Sequence, residues 1–126
     1  MKTLKIVLVD DQEISNFINK KVIGLSGLDC EIIEFTDPVH AFEQLPTINP
    51  DLILLDLQMP VLNGWEFLDK MVDVSHKHPV AIITSSTSSE DTAKSLTYSH
   101  VVEYCVKPIK PEIIKGLAEK LMKPVV

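Results

Sequence analysis

The sequence predicts a doubly wound α/β domain, and three observations carry that prediction. Five short apolar segments alternate with segments of helical periodicity. The middle one, Leu52-Ile53-Leu54-Leu55, is apolar without a break, as expected of a parallel strand covered by helices on both faces. Acidic, hydroxyl and ammonium side chains recur where those segments end, which is where open α/β sheets bind ligands.

The first strand is expected from Leu4 to Val9. Ile14, Phe17, Ile18, Val22 and Leu25 then follow at helical spacing, with Gly27 as the stop. Cys30 to Phe35 reads as the second strand, and Glu31 and Glu34 within it suit a sheet edge. Asp37-Pro38 starts a second helix, with Asp as cap and Pro in the first turn; the helix is expected to be short and to end near Leu45-Pro46. After the third strand, Phe67, Leu68, Met71 and Val72 mark the third helix, and Val80 to Ile83 the fourth strand. Ser85 to Ser89 is a short loop. Ser88 with Asp91 resembles a capping box for a fourth helix, whose apolar anchors are few, mainly Ala93 and Leu96, so that it should be weakly held. Val101 to Val106 is the fifth strand. Ile113, Ile114, Leu117 and Leu121 form the expected buried stripe of a last helix ending near Lys123, with Gly116 inside it at a cost of about 1 kcal/mol relative to Ala.

The 126 residues suit one domain able to bury a core, with no internal repeat or linker. No apolar run is long enough to span a bilayer, and the N-terminus lacks the layout of a secretory signal, so no membrane association and a cytoplasmic location are expected. Net charge is −6, the basic residues are all Lys, and they form no stripe, which argues against nucleic acid as a direct partner. Cys30 and Cys105 are isolated in strand-like segments and read as small hydrophobes; no Cys/His spacing suggests zinc. His40, His76, His78 and His100 are scattered and read as surface or loop residues. There is no G-x-G-x-x-G or G-x-x-x-x-G-K-[ST] loop for a nucleotide.

Asp10 and Asp11 follow the first strand, Asp56 the third, Thr84 and Ser85 end the fourth, and Lys107-Pro108 follows the fifth. Each group alone has an ordinary explanation as a cap, a turn residue or a surface lysine. Together they place three carboxylates, a hydroxyl and an ammonium on one rim. Two carboxylates about 4–5 Å apart repel by roughly 4 kcal/mol at an effective dielectric near 20. A third carboxylate adds to this, and one lysine does not neutralise three acids. Such a cluster calls for a cation or raised pKa values. Its hard oxygen donors favour Mg²⁺, with Mn²⁺ second, over zinc or copper. A carboxylate beside such an ion, with a lysine and a hydroxyl to hold phosphoryl oxygens, is a phosphoryl-acceptor site.

These residues resemble the response regulator receiver family. The resemblance rests on Asp10-Asp11, on Leu54-Leu55-Asp56-Leu57-Gln58-Met59-Pro60-Val61-Leu62-Asn63-Gly64, on Ile82-Ile83-Thr84-Ser85 and on Tyr104-Cys105-Val106-Lys107-Pro108, and it spans essentially the whole chain, residues 1–126, as a single receiver domain. It implies a flavodoxin-like (βα)5 fold with parallel strand order 2-1-3-4-5 and helices on both faces. It implies a phosphoacceptor switch rather than an enzyme, with slow self-catalysed phosphorylation and dephosphorylation. Asp56 would take the phosphoryl group from a histidine kinase or a histidine phosphotransfer protein. Asp11 and Asp56 would ligate Mg²⁺ directly, the backbone carbonyl of Gln58 would be a third ligand, and Asp10 would act through a water. Lys107 would pair with Asp56 or its phosphate, and Thr84 would bond a phosphoryl oxygen. Tyr104 matches the family's switch aromatic, whose ring turns inward when Thr84 moves. The Lys107-Pro108 bond is expected to be cis. The face of the fourth helix, fifth strand and fifth helix would then read out the change to a downstream protein, as a monomer or a phosphorylation-dependent dimer.

Some positions depart from the commoner pattern. Tyr98-Ser99-His100 stands where many members have a Gly-Ala pair before the fifth strand, which leaves the local geometry of the output face open. Gln58 and Ser86 occupy positions that tune phosphate lifetime in the family. Trp65 reads as a surface aromatic, with a reporter of Mg²⁺ binding as the second option. A haloacid-dehalogenase-type phosphatase would need a second Asp where Gln58 stands, and an inert interaction module would have lost some of the five site residues. Met1 close before the first strand and the short tail Pro124-Val125-Val126 favour a stand-alone receiver over one cut from a longer hybrid kinase or regulator.

Overall fold

The computed structural model describes residues 3–75 and 78–122; His76 and the end of the chain from Lys123 lie outside the described residues. Five parallel strands, β1 (Leu4–Val9), β2 (Cys30–Phe35), β3 (Leu52–Leu55), β4 (Val80–Thr84) and β5 (Val101–Val106), form one sheet in the order β2-β1-β3-β4-β5. Between and after them run α1 (Glu13–Leu25), α2 (Pro38–Ile48), α3 (Gly64–Asp73), α4 (Ser89–Ser95) and α5 (Pro111–Met122). The flavodoxin-like order is the expected one, and β2 is the edge its glutamates suggested. No helix among the described residues is long and apolar enough to cross a membrane.

The strands' alternation explains why the central ones are apolar throughout. Val7, Val9, Ile53, Leu55, Val80 and Ile82 face one core with Ala41, Leu45, Phe67, Leu68 and Met71 of α2 and α3. Ile6, Leu8, Leu52, Leu54, Ala81 and Ile83 face the other with Ile23 of α1 and with Ile114, Leu117 and Ala118 of α5.

One expectation changes in each of the five helices. The apolar spacing that locates α1 does not mark its buried face: Asn16, Asn19 and Ile23 are buried, whereas Ile14, Phe17, Ile18 and Leu25 are 62, 54, 44 and 76% exposed. The buried Asn16 amide accounts for part of this, because it donates to the carbonyls of Asp10 (3.1 Å) and Phe35 (3.2 Å) and ties the ends of β1 and β2 together. The second helix does not stop at Pro46. It runs on to Ile48 and is closed by Asn49 in the left-handed region (φ 52°), whose N–H donates to the Leu45 carbonyl (2.8 Å). In α3 and α5, Val72 and Ile113 turn outward, and Ala118 joins the buried stripe instead. Finally, Ala93 and Leu96 do not anchor α4: both are exposed, and the helix buries Ser95 alone.

Cys105 is buried and Cys30 half-buried, both as free thiols. His40 is exposed and His78 half-buried; His100 lies in the turn before β5, a loop residue as expected, but it is 8% exposed and packed edge-on against the Tyr98 ring, not a surface residue.

Candidate functional site

The site lies at the C-terminal ends of β1, β3, β4 and β5. Asp10 directly follows β1 and Asp56 directly follows β3; both are buried, at 3 and 7% exposed. Asp56 is fixed by its N–H, which donates to the Val9 carbonyl (3.0 Å) across the β1–β3 pair. Asp10, Asp11 and Asp56 each bring a carboxylate oxygen within 4.8 Å of the others. Lys107 follows β5 after a backbone bond from its N–H to the Thr84 carbonyl (2.7 Å), and its peptide bond to Pro108 is cis, as expected.

The expected pairing of Lys107 with Asp56 is present, but it is the longer of two. The Lys107 Nζ is 2.8 Å from Asp10 Oδ2 and 3.7 Å from Asp56 Oδ2, and it donates to Ser15 Oγ of α1 (3.3 Å). One ammonium is thus shared among two buried acids and a hydroxyl, with Asp10 the nearest. Asp10 Oδ1 is taken by the Gln12 N–H (3.0 Å). Asp11 Oδ1 is buried and has no hydrogen-bond partner among the described residues. An unpaired buried carboxylate oxygen is costly, and beside two further carboxylates it fits a hard divalent cation that takes one or two carboxylates and otherwise water and phosphate.

Burial pushes the Asp56 carboxyl up to about 6, and the Asp10 charge adds to this; Lys107 and the backbone N–H groups of Gln58 and Leu57 oppose it only in part. The Asp56 carboxylate is therefore poorly stabilised as a bare anion. Thr84 ends β4 fully buried, and its Oγ1 accepts from the Ser86 N–H (3.2 Å). Tyr104 is half-buried against the core, with its hydroxyl donating to the Ser86 carbonyl (3.1 Å).

The loop after β3 explains the Asn63-Gly64 pair. A Cβ on Gly64 would lie 2.6 Å from the Asp56 carbonyl oxygen and 2.7 Å from Leu57 Cα, so only glycine lets α3 start against the end of β3. Asn63 caps that helix in a reciprocal box with Glu66. Val61, 90% exposed, takes φ 69° in a three-residue turn closed by the Leu62 N–H on the Pro60 carbonyl (2.7 Å); a β-branched residue there stores about 1–3 kcal/mol of strain.

Trp65 is only half-buried, but it is not an isolated surface ring. It stacks on Tyr98 (centroids 5.9 Å apart, planes at 21°), and Lys94 Nζ of α4 lies 4.6 Å from its centroid. The Tyr98 hydroxyl donates to Asp69 Oδ1 of α3 (2.7 Å), and burial, then this bond, push it up to about 12. The unusual segment before β5 thus clasps α3, which settles its local geometry. Ser15, Asn16 and this clasp were not read from the sequence.

The sequence model described as "Response regulator receiver domain" matches residues 6–119. A protein-glutamate methylesterase/protein-glutamine glutaminase of Thiobacillus denitrificans is 33% identical over 119 residues, covering 92% of this chain and 32% of the relative. The autoinducer 2 sensor kinase/phosphatase LuxQ of Vibrio cholerae is 30% identical over 118 residues, 94% of this chain and 14% of the relative. The chain thus spans about a third or less of the length of these curated relatives. A two component response regulator from Cytophaga hutchinsonii superposes with a TM-score of 0.86 at 27% identity, over 96% of this chain and 98% of that one.

Proposed function

The chain belongs to the response regulator receiver family, and from that premise we propose that it is a phosphoacceptor switch in which Asp56 carries the phosphoryl group. The observation that carries this reading is the convergence of Asp10, Asp11 and Asp56 within 4.8 Å around a single lysine, with one Asp11 oxygen buried and unpaired. Asp11 and Asp56 would hold Mg²⁺ directly with the Gln58 backbone carbonyl, and Asp10 would do so through water. When bound, the ion neutralises the crowded carboxylates and the phosphoryl oxygens that approach them.

The chain's own groups do the rest. An Asp56 oxygen attacks phosphorus, the P–N bond to a phosphohistidine breaks, and the imidazole leaves with its electron pair. Lys107, already within 3.7 Å of Asp56, moves from Asp10 towards the new phosphoryl charge. Thr84 supplies a hydroxyl donor, and Tyr104 follows it. Phosphorylation replaces the single charge of the Asp56 carboxylate by a phosphoryl group carrying about −1.5 to −2 charges. The parts best able to respond are those with least apolar anchorage, the loop after β4 and α4, so the α4-β5-α5 face is the readout surface.

A histidine kinase or phosphotransfer protein is the natural donor. The exposed Ile14, Phe17 and Ile18 of α1 adjoin the rim, because Ser15 on the same helix holds Lys107. We expect Phe17→Ser to slow transfer from a protein donor about tenfold, the cost of one moderate interface contact, while leaving uptake from a small acyl phosphate unchanged. Paired time courses with the two donors check this. The length of the curated relatives favours, as a second reading, the same switch working within a longer protein.

The proposal is tested by incubating the protein with a small acyl phosphate, with Mg²⁺ or with a chelator, and weighing the intact chain. One phosphoryl adduct per chain, formed only with the metal, is the expected result. Many turnovers of donor per chain, or an adduct that ignores the metal, would point to a phosphatase or to chance acylation instead.

A further inference from the structure

Four hydrogen bonds in the loop after β4 meet on one residue, Ser86. Its N–H donates to Thr84 Oγ1 (3.2 Å), and its carbonyl accepts from the Tyr104 hydroxyl (3.1 Å). Its own hydroxyl donates to Asp91 Oδ2 of α4 (2.7 Å) and accepts from the Ser88 N–H (3.2 Å). A single half-buried serine thus joins the end of β4, β5 and α4.

A hydroxyl has one O–H donor and two acceptor lone pairs. With the Ser86 N–H on a lone pair of Thr84 Oγ1, the Thr84 proton is left to be given elsewhere. A phosphoryl group brings only acceptors, so this is the orientation it needs. The Tyr104 hydroxyl holds the Ser86 carbonyl, and the side chain is tied to α4 by its bond to the Asp91 carboxylate, the shortest of the four. Apolar packing adds little, since α4 buries only Ser95 and leaves Ala93 and Leu96 in water.

We propose that Ser86 and Asp91 are a positioning pair for Thr84: the α4 carboxylate fixes Ser86, and Ser86 presents the threonine hydroxyl as a donor to phosphoryl oxygen. Neither residue touches the phosphoryl group. The proposal rests on the reading of Asp56 as phosphoacceptor and deepens it, because it makes α4 part of the machinery that retains phosphate.

The test measures beryllofluoride affinity in the presence of Mg²⁺, together with the lifetime of the phosphoryl group on Asp56 after donor removal. Wild type is compared with Asp91→Ala, Asp91→Asn, Ser86→Ala, Ser86→Thr and the double alanine variant. Mg²⁺ binding without beryllofluoride serves as the control for a folded rim. We expect Asp91→Ala and Ser86→Ala each to weaken beryllofluoride about tenfold, the double variant to be no worse than either single one, Ser86→Thr to restore most of the loss, and Mg²⁺ affinity to hold. The shape-preserving Asp91→Asn should fall between wild type and Asp91→Ala. Singles that match wild type, or losses that add in the double variant, overturn the pair while leaving Asp56 as acceptor. A wild-type protein that takes up no beryllofluoride overturns both.

Discussion

Asp56→Asn is expected to abolish phosphoryl uptake and at the same time to make the metal-free protein more stable. The first effect is all-or-none, because an amide nitrogen or oxygen does not replace the attacking carboxylate oxygen. The second follows from the state of that carboxyl. Burial and the neighbouring Asp10 raise it from 3.8 to about 6 in the folded chain. Between those values the folded state binds more protons than the unfolded one, so stability falls as pH rises through the window and stays reduced above it. The full penalty near neutral pH is at most about 3 kcal/mol for a shift of about two units. Asparagine has no charge to desolvate, and it removes one of the three repelling groups. With chelator present near pH 7, the variant should melt several degrees above wild type, as expected from a gain of about 1–2 kcal/mol in a domain of this size. Near pH 4 the difference should vanish, since wild-type Asp56 is then protonated in the folded state. Thermal melts at the two pH values check the sign. A variant that is less stable at pH 7 would mean that the Lys107 and backbone N–H contacts outweigh the crowding.

How much of this was legible in the sequence varies by element, for physical reasons. The strands were read with correct bounds but for Thr84, which extends β4, because a parallel strand buried on both faces needs an unbroken apolar run, and Leu52-Ile53-Leu54-Leu55 has one. The site followed from the strands, since chain order alone puts Asp10, Asp56, Thr84 and Lys107 at one end of a parallel sheet. The helix faces were less legible. Apolar periodicity locates α1 but does not say which face the sheet covers, and the carbonyls of Asp10 and Phe35 draw the polar Asn16 inward. Pro46 lies in the last turn of α2, where the left-handed Asn49 closes the helix beyond it. Contacts between elements distant in sequence left no local signal. Lys107 is nearer Asp10 than Asp56, and the 21° stack of Trp65 on Tyr98 is visible only in three dimensions. A helix interior carrying Asn16 and Asn19 is the one hint that α1 had a polar task inside.

Removing the Asp11 charge should separate the metal from the fold. Asp11 contributes the carboxylate oxygen that is buried and unpaired in the described structure, and it lies among the three acids that converge within 4.8 Å. If that oxygen is a ligand, Mg²⁺ binds the folded state alone and stabilises it by about 1.4 kcal/mol at ten times its dissociation constant, which is a rise of several degrees in melting temperature. Asp11→Ala should show no such rise at the same Mg²⁺ concentration, although without metal it should melt at or above wild type, because one source of repulsion is gone. Phosphorylation by a small donor should slow by about a hundredfold or more, since the charge that offsets the incoming phosphoryl oxygens is no longer held in place. Asp10→Ala is the contrasting case. It removes the nearest partner of Lys107 (2.8 Å) and would take away only a water-mediated contact to the ion, so the ammonium should swing to Asp56 and the Mg²⁺-dependent rise should shrink rather than disappear. Melting curves across a Mg²⁺ titration of the three proteins decide the matter. Equal metal responses in wild type and Asp11→Ala would remove Asp11 from the ligand set, and with it the account of why an acid is left unpaired inside this rim.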